Sequence, residues 1–235
     1  MVVENLNLIE EAKNFSRNFM QNNDPSHDWN HVERVYKNAM FLIEQEKKLN
    51  ENLVYDLEVI QLAALFHDII DFKYDHDKSK SLDQIAQDRL GEFFSRFNLS
   101  MDKQEQVLHI ILNISWRKEL EMGQKSDRIP IELKIVRDAD RLDAIGAVGV
   151  ARCMAFSGAK NRPIYIEGVE PIHNMTAEQY NNQTIKNEST AINHFYEKLL
   201  LIKDKMQTQT GKKMALERHE FMLQYLNQFD TEIKL

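Results

Sequence analysis

Apolar residues recur every three or four positions along most of the chain, and this 3.6-residue rhythm predicts helices throughout. Leu8, Ala12, Phe15 and Phe19 mark a first helix ending near 21–24, where Pro25 discourages continuation. Val32, Val35, Tyr36, Ala39, Leu42 and Ile43 stripe a second, with Asp28 or Ser26 as its cap. A third and largely apolar helix runs from about Leu53 to Asp68. The charged run 71–80 reads as a loop, followed by a helix carrying Leu82, Ile85, Ala86, Leu90, Phe93, Phe94 and Phe97, and by another over Val107 to Ile114. After a surface connection that ends at Pro130, residues 131–156 read as one long helix. Two last helices are expected near 189–206 and 210–229, and Thr176 to Gln179 offer a cap for a short one before them.

With 7 Gly and 4 Pro among 235 residues, few turns are available, and the expected fold is all-α, a single domain over 1–235. The segment 157–187 interrupts the helical pattern with two prolines and two glycines, and such inserts are often functional. It is expected to be irregular and is a candidate lid.

A formal charge of −7 argues against polymeric nucleic acid as a partner, because phosphate neutralisation supplies most of that affinity. The single Cys153 cannot form an intrachain disulfide, and no apolar run reaches the ~18 residues of a membrane helix. A cytoplasmic protein without a membrane partner is the expectation. The oligomeric state is left open, a homodimer included.

Candidate chemistry gathers at "HDIIDFK", residues 67–73, where an apolar helix ends in charged groups. Charges beside a hydrophobic run are costly unless something pairs with them, and a metal ion is the first candidate. On a helix His67 and Asp68 point about 100° apart and share an ion only over the seam between them, so further ligands must come from elsewhere. His27 and His31 lie four apart at the start of the second helix; His31 falls on its stripe and is the favoured ligand, with His27 in a supporting or substrate-contacting role. On the long helix Asp138 is explained by ion pairs with Lys134 and Arg141, whereas Asp140 and Asp143 share a face and need an external cation. Asp140 is taken as the fourth ligand and Asp143 as a candidate for lining the site.

The spaced set His31, His67-Asp68 and Asp140, in "HVERV", "LAALFHDIID" and "DADRLDAIGAVGVAR", resembles the HD-domain metal-dependent phosphohydrolase superfamily, and within it the small stand-alone bacterial hydrolases. The resemblance implies a helical bundle whose core holds one divalent ion (Mn, Mg, Co, Ni or Fe) on His31, His67, Asp68 and Asp140. It also implies that Asp71 positions or activates water. Lys73 and Arg141 are candidate phosphate contacts. Two-metal members add histidines before the last Asp, and His109 is the residue here that could line the site in that way. Trp116 with Arg117 could stack on a base or ring, with a packing anchor as the favoured reading, and Gly146 and Gly149 are read as allowing close helix packing.

The expected activity is metal-dependent hydrolysis of a small phosphorylated metabolite, foremost a nucleotide, with release of pyrophosphate from a nucleoside triphosphate as one form. Nucleotide monophosphate hydrolysis and alarmone cleavage are near alternatives. A non-catalytic sensor of a nucleotide or partner protein is the alternative of another class.

Overall fold

The computed structural model describes residues 2–70, 81–122, 129–176, 178–179 and 189–233, and among them it is built of helices without strands. In chain order these are α1 (Val2–Phe19), α2 (Trp29–Leu49), α3 (Leu57–Phe66), α4 (Leu82–Arg96), α5 (Met101–Asn113), α6 (Trp116–Met122), α7 (Ile131–Asp143), α8 (Gly146–Ala159), α9 (Ala191–Glu197), a 3-10 turn (Leu199–Lys205) and α10 (Gln209–Ile233).

Helix α3 is the central post. Its residues from Val59 to Phe66 are apolar apart from Gln61, and a helix apolar on nearly every side is stable only when surrounded. Helices α1, α2, α5 and α7 all pack on it. It starts at Leu57 rather than Leu53 because the Asp56 side chain accepts from the Val59 backbone N–H and caps it. At its far end Phe66 sits edge-on to Phe93 with centroids 5.1 Å apart, and Phe15 tilts against Phe93 at 5.6 Å, tying α1, α3 and α4 together. Helix α2 is capped by Asp28, which accepts from His31 N–H, and not by Ser26. Its buried stripe of His31, Val32, Val35, Ala39, Leu42 and Ile43 faces α3 and α7.

The long helix expected over 131–156 is two helices, α7 and α8, bent by 72°. Gly146 at the corner adopts φ of 75°, a left-handed conformation that side-chain-bearing residues avoid. Arg218 of α10 fills the corner and donates to Leu142 O, at the open end of α7. Gly149 then passes so close to the previous helix that an added Cβ would lie 2.3 Å from Ala144 O. Both glycines serve tight packing, and Gly146 also supplies the break.

Asp138 departs from the expected pairing with Lys134 and Arg141. It is buried and accepts hydrogen bonds from Gln207 N, Thr208 N and Thr208 Oγ1, stitching α7 to the start of α10. The final helix pair is also divided further: α9 stops at Lys198, whose φ of −143° leaves the helical region, and the 3-10 turn follows. Of the insert, Pro163 O and Ile164 O accept from Ala191 N and Ile192 N, and Val169 O accepts from the Asn193 side chain, so its first half is laid along α9. The Thr176 cap forms, with Thr176 and Gln179 exchanging side-chain-to-backbone hydrogen bonds. Among the described residues no single helix is long and apolar enough to cross a membrane.

The corner yields a test. Gly149→Ala presses a methyl group onto backbone and is expected to destabilise the protein by about 2 kcal/mol. Gly158→Ala, whose methyl group meets nothing within 4 Å, should be neutral or stabilise slightly. Urea-denaturation midpoints compare the two, and equal midpoints would contradict the account of the corner.

Candidate metal centre

His31 enters from the first turn of α2 and is 1% exposed. Its Nδ1 lies 2.7 Å from Asp143 Oδ2, and since a carboxylate only accepts, Nδ1 carries the proton and donates. His67 is the C-cap of α3, one residue past the helix proper, so the HD pair sits in the turn after α3. Its Nδ1 donates to Ala64 O at 2.8 Å. With both Nδ1 atoms committed as donors, both Nε2 atoms carry lone pairs in the neutral rings, and they face each other at 3.0 Å.

Two carboxylates close the same space. Asp68 Oδ2 is 3.2 Å from His31 Nε2 and Asp68 Oδ1 is 3.4 Å from His67 Nε2. Asp140 Oδ1 is 3.7 and 3.9 Å from the two Nε2 atoms. Asp68 Oδ2 is buried without a hydrogen-bond donor. His31, His67 and Asp140 offer ligand atoms all within 4.8 Å of one another, and Asp68 borders the two imidazoles beside them.

The electrostatics call for positive charge in this gap. Burial and the Arg152 charge push the His31 imidazole down, yet the neighbouring carboxylates of Asp143 and Asp68 outweigh them and raise its pKa. Asp68 is held well below the ordinary carboxylate range: burial opposes this, and the His67 and His31 charges prevail. A pocket of two imidazole lone pairs and two carboxylates takes that charge as protons or as a divalent ion, and the mixed nitrogen and oxygen donor set fits such an ion.

Asp143 stands behind the ligands. Besides His31 Nδ1 it accepts from Arg34 Nε at 2.7 Å and Arg34 Nη2 at 3.0 Å, and Arg152 Nη1 lies 3.3 Å away. Burial alone would raise its pKa, but the His31 and Arg34 hydrogen bonds hold it well below the ordinary range. An ionised carboxylate gripping the remote ring nitrogen fixes the orientation and basicity of a ligating histidine. Asp143 thus touches the site through His31, not as part of the cavity wall.

The remaining expected residues divide. His27 lines the cavity, its ring 5.8 Å from that of His31, and its Nδ1 lies 2.7 Å from Ser26 Oγ. Arg141, expected to meet phosphate, is buried elsewhere: it donates to Lys205 O at 2.6 Å and pairs with Glu119. The reason is its position on α7, one residue beyond Asp140 and so turned about 100° away. His109 is exposed on α5, its ring beside Asn113, and is not among the described residues that line the cavity. Asp71 and Lys73 lie outside the described residues.

Beside the metal-ligand cluster the cavity wall carries groups that the periodicity did not single out. Phe156 and Arg162 come from the end of α8, Arg152 from its middle, and His194 and Lys198 from α9. Trp116 and Arg117, for which a packing anchor was favoured over stacking on a ligand ring, line the cavity too. Arg152 had a visible signal, a cation inside the apolar run "GVARCMAF"; it donates to Ser26 O and supports Asp143.

Two buried histidines and two carboxylates, from α2, the turn after α3 and α7, thus meet at one place in a helical bundle and could hold a metal ion. The HD domain family matches residues 28–145, and the chain belongs to it. It is 33% identical to YpgQ of Bacillus subtilis, over 98% of this chain and 96% of that one. A solved Lactobacillus plantarum structure aligns with a TM-score of 0.81 at 32% identity, covering 97% of both chains. An HD-superfamily hydrolase from Bacillus thuringiensis aligns at 0.68 and 31%, covering 98% of each. YpgQ has been crystallised in complex with ADP, and that structure aligns at 0.69 and 31%, covering 97% of this chain and 96% of that one.

Two outcomes follow from this geometry. Asp143→Ala releases the back of His31 and is expected to weaken Mn²⁺ binding roughly 10- to 100-fold in calorimetric titration; unchanged affinity would mean that packing alone orients the ring. Burial pushes the Cys153 thiol up to about 11. It should therefore resist iodoacetamide at pH 8 in the folded protein and react once unfolded, as peptide mass spectrometry would show.

Proposed function

We propose that the protein is a metal-dependent phosphohydrolase acting on a small phosphorylated metabolite, and that this metabolite is a nucleotide. One observation carries the reading: two buried imidazole Nε2 atoms face each other at 3.0 Å while both Nδ1 atoms are committed elsewhere. The nucleotide part is supported by the ADP complex of YpgQ, a relative over nearly the whole chain. Pyrophosphate release from a nucleoside triphosphate is the foremost form; monophosphate hydrolysis and alarmone cleavage are its alternatives.

In this reading His31, His67, Asp68 and Asp140 hold one divalent ion, with Mn, Fe, Co, Ni and Mg all compatible with the donors. Such an ion supplies Lewis acidity, polarising a phosphoryl oxygen and acidifying a water. The chain's own part is positional. Ala64 O and Asp143 fix the two rings, so the donors are in place before substrate arrives and little reorganisation is left for the reaction. Asp140, whose side chain is 32% exposed, is the ligand that opens to the cavity. We assign His27, which lines the cavity with its Nδ1 against Ser26 Oγ, to a contact with substrate oxygen. Asp71 as the group that takes the water's proton, and Lys73 as a phosphate contact, remain part of the proposal. We further propose that 1–235 act as one HD domain and that the insert 157–187 closes the outer side of the cavity.

Asp68→Ala is expected to abolish both tight Mn²⁺ binding and nucleotide turnover, with phosphate and pyrophosphate release measured separately. A variant as active as the parent would refute the assignment.

A further inference from the structure

We propose that Ser26 and Asp24 are positioning residues that keep the proton of His27 on Nδ1, so that His27 meets its ligand as a hydrogen-bond acceptor at Nε2. The inference rests on the phosphohydrolase reading, in which His27 contacts an oxygen of the substrate, and adds what kind of oxygen it meets: one that carries a proton.

A hydroxyl can donate or accept, so the 2.7 Å contact between Ser26 Oγ and His27 Nδ1 does not by itself say which atom holds the proton. Asp24 decides it. Ser26 Oγ donates to Asp24 Oδ1 at 2.5 Å, and Ser26 N donates to the same oxygen at 2.9 Å. A carboxylate only accepts, so the one hydroxyl proton of Ser26 goes to Asp24, and the Ser26 oxygen accepts from His27. Nδ1 therefore carries a proton, and in the neutral ring the lone pair is on Nε2. A histidine in water favours the opposite tautomer, with its proton on Nε2, and the relay works against that preference. Ser26 is buried, which keeps water from competing for these contacts.

The ring is fixed in place as well as in protonation. His27 N donates to Asp24 O at 3.0 Å, and His27 O accepts from Asn23 Nδ2 at 3.0 Å. The rings of Phe156 and His31 meet that of His27 edge to face, with centroids 5.7 and 5.8 Å away. Arg152 joins this support to the metal-ligand cluster: its Nε donates to Ser26 O at 2.7 Å, while its Nη1 lies 3.3 Å from Asp143 Oδ2, behind His31.

Three imidazoles on one cavity thus hold a proton on Nδ1 against three different acceptors, Asp143 for His31, Ala64 O for His67 and Ser26 Oγ for His27. His31 and His67 belong with Asp140 to the group whose ligand atoms lie within 4.8 Å of one another, and His27 stands outside it. The same tautomer therefore has a different use at His27. A lone pair repels an ionised phosphate oxygen, whereas a hydroxyl or a water donates to it. The oxygen that His27 meets is an O–H group, either a sugar hydroxyl of the substrate or a water that bridges to the substrate.

The test is nitrogen-15 NMR of the histidine-labelled full-length protein with Mg²⁺ at about pH 8.5, where an ordinary imidazole is neutral. The His27 signals are assigned by their loss in His27→Gln. The parent is expected to show His27 protonated at Nδ1. Ser26→Ala should move most of the population to the tautomer protonated at Nε2, and Ser26→Thr, which keeps the hydroxyl, should restore the parent pattern. A ring protonated at Nε2 in the parent, or an unchanged tautomer in Ser26→Ala, would overturn the relay. Turnover then reads the acceptor role: Ser26→Ala is expected to lower kcat/KM for ATP roughly fivefold, the loss of one neutral hydrogen bond. A smaller loss for 2′,3′-dideoxy-ATP assigns the contact to a sugar hydroxyl, and an equal loss assigns it to water. A switched tautomer with kcat/KM unchanged for both nucleotides would overturn the acceptor role. The hydrolase reading fails separately: no turnover of any nucleotide by a parent whose His27 is protonated at Nδ1 would remove the enzyme and leave the relay standing.

Discussion

Burying charge is the constraint around which this fold is organised, and α7 is where it is met. Arg137, Asp138, Arg141 and Asp143 are all buried there, in a helix that ends at Asp143. Isolated charges in that setting would cost several kcal/mol each, so each must find a partner with good geometry. Each finds it on a different element: Arg137 donates to Asn113 O at the end of α5, Asp138 accepts from the turn before α10, Arg141 from the same helix reaches Lys205 O and Glu119, and Asp143 holds His31 of α2. One helix is thereby fixed in rotation and in register against four neighbours. Asp140, on the same helix and half-exposed, inherits that fixity, and this is why a carboxylate from α7 comes within 3.7 and 3.9 Å of imidazoles from α2 and from the turn after α3.

The apolar partner in this arrangement is α3. Its packing against four helices buries His67 and leaves Asp68 half-buried beside it. Low dielectric strengthens every interaction there and makes unmatched lone pairs costly. The two effects oppose each other where two imidazole Nε2 atoms and an Asp68 oxygen converge. Stability spent at such a place is a recognised mark of function, because a merely structural core would replace these groups with apolar ones.

What was legible beforehand follows the same division. Apolar periodicity located α1 to α5 within a few residues, because burial of a face is a property that a stripe records directly. The metal-ligand candidates were visible through their spacing and neighbours. The break between α7 and α8 was hidden because it depends on Arg218, remote in sequence, filling the corner at Gly146. Asp138 and Arg141 were misjudged for a related reason: i to i+3 and i+4 neighbours suggested a pairing along the helix, but tertiary partners in the turn before α10 and in α6 compete better in a buried setting than exposed helical pairs do. Charge alone did not tell a cavity-facing Arg162 or Lys198 from a solvated one, since what places them is a left-handed Asn161 and a break in a short helix.

The two halves of the cavity therefore rest on different kinds of structure. The metal-ligand half stands on α2, α7 and the turn after α3, whose orientation is locked by buried charge and apolar packing. The opposite wall comes from the end of α8, from α9 and from the corner at Trp116, elements that are short and joined mainly by backbone hydrogen bonds along their edges. A change of residue in the first half disturbs ligand geometry and the packing of several helices together.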